Sequence, residues 1–113
     1  MQATTPSDAA TPLLRHVVLF AFHERAAPAD VDQIRAAFCR LPAAIETIVD
    51  LEWGLNNSPE QINDGFTHCF LLTFGSEQDR DDYLVHPAHQ AFVAGLQPHL
   101  AKALVVDYWA ARS

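Results

Sequence analysis

The chain has few cysteines and no long apolar run, and each shortage excludes a class of protein. Its two cysteines, Cys39 and Cys69, form no Cys-x-x-Cys pair. No apolar run approaches the roughly 20 residues that a membrane-spanning helix needs. No stretch ahead of Cys39 is typical of a secretory signal, so we expect free thiols and a cytoplasmic location.

Basic residues are also scarce. Seven Lys and Arg stand against 14 Asp and Glu, and the formal net charge is −7. A nucleic-acid surface is excluded because nothing here could replace the counterions along a phosphate backbone. At 113 residues and 50% apolar composition, the chain is expected to form one domain with a sizeable core.

The periodicity of apolar residues divides the chain into strands and helices. Residues 1–12 show no apolar period and are predicted to be a flexible tail, leaving 13–113 as the domain. Period-two alternation or continuous apolar character predicts strands over 14–22, 48–55, 66–74 and 103–108. Helical spacing, helix-start residues and prolines predict helices over 28–41, 77–84 and 87–97.

The order βαββαβ predicts an α+β, ferredoxin-like antiparallel sheet with both helices on one face. The other face would then expose an apolar patch too large to leave in water. Its predicted members are Val17, Leu19, Leu71 and either Val106 or Tyr108. We therefore expect a homodimer joined sheet to sheet.

The segment YLVHPAHQAF, from Tyr83 to Phe92, contains a helix break at a proline. The residue before proline is pushed out of the helical region, so His86 is predicted to cap a helix that restarts at Pro87. His89 then lies in the first turn, where a positive charge is disfavoured, so its imidazole should stay neutral and act as a general base. The alternative is that His89 is a surface or packing residue.

Strand parity places His16, His68 and Asp107 on the helix-facing side of the sheet, toward Tyr83 and His89. Together they predict a cavity with a few polar groups in an apolar wall, which is the usual composition of a small-molecule site. The predicted apolar lining consists of Val18, Phe20, Phe38, Phe70 and Phe92.

Within that cavity, His89 could take a proton next to a carbonyl group while Tyr83 donates to the developing enolate oxygen. Asp107 could hold the imidazole tautomer. The alternatives are that His16 and His68 are hydrogen-bonded core residues and that Asp107 anchors the sheet edge. A metal site at His86 and His89, or at His16 and His68, is less favoured because no His-Glu-x-x-His motif is present.

The segments RHVVLFAF, FTHCFLLTF, YLVHPAHQAF and VVDYWA resemble the stress-responsive α/β-barrel domain family, often called Dabb, over residues 14–110. The resemblance implies a dimeric α+β barrel. A plant polyketide cyclase of that family closes its substrate by aldol condensation without metal or cofactor, so no cofactor is expected. Its catalytic tyrosine and histidine match Tyr83 and His89, and its strand histidines match His16 and His68.

The first helix departs from that cyclase. Ile34, Arg35 and Phe38 stand where the cyclase has aromatic and other pocket residues, so the resemblance does not identify the substrate. Two hypotheses follow: a cofactor-independent cyclase, lyase or isomerase for a small carbonyl or aromatic compound, and a non-catalytic, stress-related dimer that binds an apolar metabolite. An open cavity around hydrogen-bonded Tyr83, His89 and Asp107 would favour the enzyme.

Overall fold

The computed structural model of this protein describes residues 12–111. The predicted tail therefore lies outside the described residues, apart from Pro12. The elements in chain order are β1 (Leu14–Phe22), α1 (Pro28–Cys39), α2 (Leu41–Ala44), β2 (Asp50–Leu55), β3 (His68–Phe74), α3 (Glu77–Val85), α4 (Pro87–Leu96), a 3-10 turn (Gln97–His99) and β4 (Leu100–Trp109).

The four strands form one antiparallel sheet in the order β2-β3-β1-β4. Strand β1 is central and pairs with both β3 and β4. The helices cover one face of the sheet, as a βαββαβ chain with a single helical layer requires. The predicted ferredoxin-like α+β architecture is confirmed.

Strand β1 follows the predicted alternation over most of its length. His16, Val18 and Phe20 are buried beneath the helices, whereas Val17 and Leu19 are only partly covered. The pairing with β4 shifts register between Ala21 and Phe22. Alternation ends there, because an irregularity in one strand re-aims the side chains that follow it.

Helix α1 begins at Pro28, as predicted, but it ends earlier than expected. It stops at Cys39 instead of continuing to Leu41, and Pro42 lies in the first turn of the short helix α2. Proline lacks an N–H and suits a first turn, so the chain starts a new helix around it instead of ending one.

A turn at Asp64-Gly65 determines where β3 starts. Asp64 has φ 53° and Gly65 has φ 82°, both in the left-handed region that such turn residues tolerate. The Phe66 N–H then bonds back to the Asn63 carbonyl at 3.0 Å. Phe66 therefore belongs to the turn, and β3 begins at His68, two residues later than predicted.

Aromatic rings join the helices to the sheet. The Phe38 ring of α1 lies 4.3 Å from the Phe70 ring of β3 and 4.7 Å from the Phe92 ring of α4, measured between centroids. Phe20 of β1 contacts all three rings. This four-ring cluster fills the space between the layers at one end of the sheet.

The face of the sheet away from the helices carries an exposed apolar patch, here called the outer face. It includes half-exposed Leu104, Val106 and Tyr108 on β4. By register these lie beside Leu19, Val17 and Arg15 of β1. Val106 and Tyr108, which the sequence left as alternative members of the patch, thus both belong to it. Across residues 12–111, no helix combines the length and apolar character needed to cross a membrane.

Candidate active site

The break between α3 and α4 has the predicted geometry. His86 has an extended backbone, with φ −64° and ψ 136°, and its Nδ1 accepts a hydrogen bond from the Ala88 N–H at 3.0 Å. Pro87 occupies the first position of α4 and His89 the third. His86 therefore caps α4 and fixes the direction in which His89 leaves the helix.

We expect His86→Ala to lower the free energy of unfolding by about 1 kcal/mol, the usual cost of removing an N-cap acceptor. Urea denaturation would measure the change. His86→Asn is the matched control, since asparagine restores an acceptor at the same position and should recover most of the loss. Equal destabilisation by the two substitutions would contradict a capping role.

The same break creates a hydrogen-bond acceptor for His89. Helix α3 ends at Val85, so the Leu84 carbonyl is one of the terminal acceptors that a helix leaves without an internal partner. The Nδ1–H of His89 donates to this carbonyl at 3.0 Å. Because a carbonyl oxygen can only accept, Nδ1 carries the hydrogen, and Nε2 is the nitrogen with an available lone pair.

The environment of His89 favours the neutral imidazole. Burial lowers the pKa of His89 below its ordinary value, the hydrogen bond to Leu84 opposes that change, and the neighbouring His16 lowers the pKa further. The direction agrees with the expectation from the helix N-terminus, although burial is its main cause. His89 is thus kept in the form that can accept a proton.

Tyr83 lies beside His89 and is only 1% exposed. The centroids of the two rings are 4.4 Å apart. The Tyr83 hydroxyl has no hydrogen-bond partner among residues 12–111, and it is not one of the buried polar atoms left without a partner, so it keeps some accessible surface. Burial, together with the charge of Asp107, raises the pKa of Tyr83, so the hydroxyl remains a proton donor.

A second chain of polar groups borders Tyr83. The Nδ1–H of His16 donates to Oδ1 of Asp107 at 2.6 Å, and Nη1 of Arg80 donates to Oδ2 of the same carboxylate at 2.9 Å. The His16 ring stands edge-on to Tyr83, with centroids 5.7 Å apart. Asp107 therefore orients His16, and the expectation that it would orient His89 is wrong; the Leu84 carbonyl does so.

These groups face a cavity of about 520 Å³ between the sheet and the helices, here called the chamber. A cavity of this size accommodates a small organic ligand. The predicted site residues that line it are His16, Val18, Phe20, Phe38, Tyr83, His89, Phe92 and Asp107. The chamber is open, and it brings Tyr83 and His89 together with His16 and Asp107. The expected hydrogen bonds among Tyr83, His89 and Asp107 are not formed, because His89 bonds to Leu84 and Asp107 bonds to His16 and Arg80.

Two predicted residues lie elsewhere. His68 pairs across the sheet with Phe20, four residues along β1 from His16, and packs between Phe22 and Trp53. It does not line the chamber, so the expected convergence of His16 and His68 is wrong. Phe70 is fully buried behind Phe38 and supports the chamber wall without lining it.

Arg80 is the main polar residue of the chamber that the sequence analysis missed. It precedes Tyr83 by three residues, which places the two on one face of α3. The three-residue spacing in the sequence could therefore have identified Arg80 as a neighbour of Tyr83. Within residues 12–111, no three His, Cys, Asp or Glu side chains form a metal-binding group.

Comparison with known proteins identifies the family. A family model described as the stress responsive A/B barrel domain matches residues 14–110. The chain belongs to this family. The stress responsive A/B barrel domain thus extends over β1 to β4 and contains every residue of the chamber.

Two curated relatives of this A/B barrel domain are plant proteins. The stress-response A/B barrel domain-containing protein HS1 of Arabidopsis thaliana is 33% identical over 95 residues, covering 84% of this chain and 87% of the relative. Olivetolic acid cyclase of Cannabis sativa is 26% identical over 95 residues, covering 84% and 94%.

Solved structures agree with this assignment. The hydroxynitrile lyase of Passiflora edulis superposes with a TM-score of 0.85 at 26% identity, covering 91% of this A/B barrel chain and 97% of the lyase. A protein from Thermobifida fusca, described as dimeric, ferredoxin-like and of unknown function, gives a TM-score of 0.75 at 26% identity, covering 88% and 92%.

Proposed function

We propose that this protein is a cofactor-independent acid–base enzyme of the cyclase or lyase type. It forms or breaks a carbon–carbon bond beside the carbonyl group of a small, largely apolar or aromatic compound. The observation that carries the proposal is a pair of side chains in the chamber: a Tyr83 hydroxyl without a hydrogen bond to residues 12–111, and a His89 imidazole whose Nε2 makes none within the same residues.

In the proposed mechanism, Nε2 of His89 removes a proton from the carbon next to the carbonyl group. The electron pair of that C–H bond forms the enolate double bond, and negative charge moves to the carbonyl oxygen. The Tyr83 hydroxyl donates a hydrogen bond to this oxygen. The enolate carbon then attacks a second carbonyl carbon, the π electrons of that C=O bond move to its oxygen, and the protonated His89 returns its proton to that oxygen. In the reverse direction, the same groups assist cleavage of the C–C bond.

His16 acts as a positioning residue in this scheme. Its hydrogen bond to Asp107, which Arg80 holds from the other side, fixes the His16 ring against Tyr83. A tyrosine side chain held in this way loses little conformational entropy when it binds the transition state. Val18, Phe20 and Phe92 give the apolar part of a ligand a surface to pack against.

The relatives support this reaction class without identifying the substrate. One is named a cyclase and another a hydroxynitrile lyase, and both cover nearly the whole domain. We also propose that the protein acts as a homodimer joined through the outer face. The dimeric description of ferredoxin-like relatives supports this assembly.

Hydrogen exchange tests the proposal without knowledge of the natural substrate. Acetophenone and a small panel of related ketones are incubated with the protein in D₂O, and loss of the α-proton signal is followed by proton NMR. We expect exchange faster than in buffer and saturable with ketone concentration. A panel that binds in the chamber but exchanges no faster than in buffer would favour a non-catalytic binding protein and contradict the enzyme.

The pH dependence of exchange follows from the two shifted pKa values. The pKa of His89 is lowered from an ordinary 6.5, so the base stays neutral and kcat/KM should hold below pH 6.5 before falling. The pKa of Tyr83 is raised from an ordinary 10, so the alkaline decline should begin above pH 10. A kcat/KM profile with an acid limb centred above 6.5 would contradict the assignment of His89.

A further inference from the structure

A second cavity lies at the other end of the helical layer, between the start of α1 and the β2 edge of the sheet. Its volume is about 440 Å³, and it is here called the Trp53 pocket. The lining residues that matter below are Phe22, Asp32, Arg35, Trp53, Thr67 and His68. Trp53 and Leu55 pair in register with Phe70 and His68, so the pocket opens on the helix side of the sheet, away from the outer face.

The Trp53 pocket is separate from the chamber. Phe20 and Phe38 line the chamber, and Phe70 fills the space directly behind Phe38. On the far side of this cluster, Phe22 and His68 line the Trp53 pocket, with ring centroids 5.1 Å apart. A ligand in one cavity therefore does not contact the polar groups of the other.

Arg35 brings a positive charge with unused hydrogen-bond donors into this pocket. Its Nη2 donates to Asp32 at 2.8 Å, and its guanidinium carbon lies 5.1 Å from the centre of the Trp53 ring. Its Nε is buried, and no acceptor in the described part of the chain reaches it. Because Nε has almost no accessible surface, a ligand would meet the guanidinium at its Nη atoms, and the Arg35 side chain is 26% exposed.

The aromatic surfaces beside Arg35 favour a flat ligand. The Trp53 and His68 rings are nearly parallel, at 11°, with centroids 6.1 Å apart. His68 also shares a hydrogen bond with the Thr67 hydroxyl at 2.9 Å. The only carboxylate among the lining residues is Asp32, whose side chain is mostly exposed, so a second acid could bind Arg35 from the pocket side.

We infer that the Trp53 pocket binds a small planar carboxylate. The carboxylate would accept hydrogen bonds from the guanidinium of Arg35, and the flat body of the ligand would lie against Trp53 and His68. Arginine suits this task because its planar fork of donors matches the two oxygens of a carboxylate. This inference is independent of the reaction proposed for the chamber.

Tryptophan fluorescence provides the test, because the chain has two tryptophans and Trp109→Phe leaves Trp53 as the only one. The probes are benzoate and its neutral analogue benzamide. In the Trp109→Phe protein, we expect benzoate to change the fluorescence saturably and to bind about tenfold more tightly than benzamide. Arg35→Gln should raise the benzoate Kd about tenfold and leave that of benzamide nearly unchanged.

Arg40→Gln is the matched control, since it removes the same charge from an exposed position just after α1. It should leave the benzoate Kd within about twofold of the parent value. Asp32→Asn should tighten benzoate binding by freeing Nη2. His89→Ala should leave it unchanged and thereby separate this pocket from the chamber. The inference is overturned if benzoate causes no saturable change, if Arg35→Gln and Arg40→Gln behave alike, or if His89→Ala abolishes binding.

Discussion

Replacement of His89 by alanine is expected to slow ketone α-proton exchange at least a hundredfold, to near the rate in buffer. The substitution removes the imidazole whose Nδ1–H is held by the Leu84 carbonyl and whose Nε2 has no partner among residues 12–111. General-base catalysis contributes on the order of 10²–10⁴-fold to such reactions. Tyr83→Phe, which deletes only a hydroxyl, should cost about a hundredfold because the enolate oxygen loses its donor.

Stability separates this role from a structural one. His89→Ala removes one hydrogen bond, so the free energy of unfolding should fall by only about 1 kcal/mol. Tyr83→Phe should leave stability nearly unchanged, because the hydroxyl has no protein partner within residues 12–111 to lose. His99→Ala, in the 3-10 turn outside the chamber, is the control and should retain full exchange activity. A loss of several kcal/mol with exchange intact would mean that His89 serves the helix junction alone.

The sequence predicted the chamber because two local rules place its groups without knowledge of the fold. Strand parity put His16 and Asp107 on the helix-facing side, and the proline at position 87 fixed the helix break that aims His89. Each rule depends only on residues that are close in the sequence, so its prediction was correct once the strands and helices had formed.

The predictions that were wrong depend on distances between strands and helices. Parity placed His68 on the correct face, but could not show that Phe20, Phe38 and Phe70 would fill the space between it and the chamber. Likewise, Asp107 was assigned to His89, although the β1–β4 register places it directly beside His16. Register and side-chain volume, not residue type, decided both outcomes.

The partner that orients His89 could not have been identified from residue types at all. It is a backbone carbonyl, at Leu84, freed by the end of a helix whose last residue was predicted to within one position. Any residue at position 84 would present the same oxygen. Sequence reasoning looked for a carboxylate, whereas the structure uses the break that the proline itself creates.

We expect Val106→Lys to weaken the proposed homodimer at least a hundredfold. Val106 lies on the outer face beside Val17, near the centre of the apolar patch. A twofold interface repeats the substitution, so two unpaired charges would be buried in each dimer. A hundredfold change corresponds to about 2.7 kcal/mol. Light scattering coupled to size-exclusion chromatography at micromolar concentration would show the monomer.

The adjacent residue on β4 supplies the control. Val105 is 53% exposed and Val106 is 51% exposed, but they point to opposite faces of the sheet. Val105→Lys introduces the same charge at the same accessibility on the helix side, so it should leave the dimer intact. Because the two variants differ only in the face that carries the lysine, a dimer disrupted by Val105→Lys alone would place the interface on the helix side. A monomeric wild-type protein would mean that the outer face meets something other than a second copy of this chain.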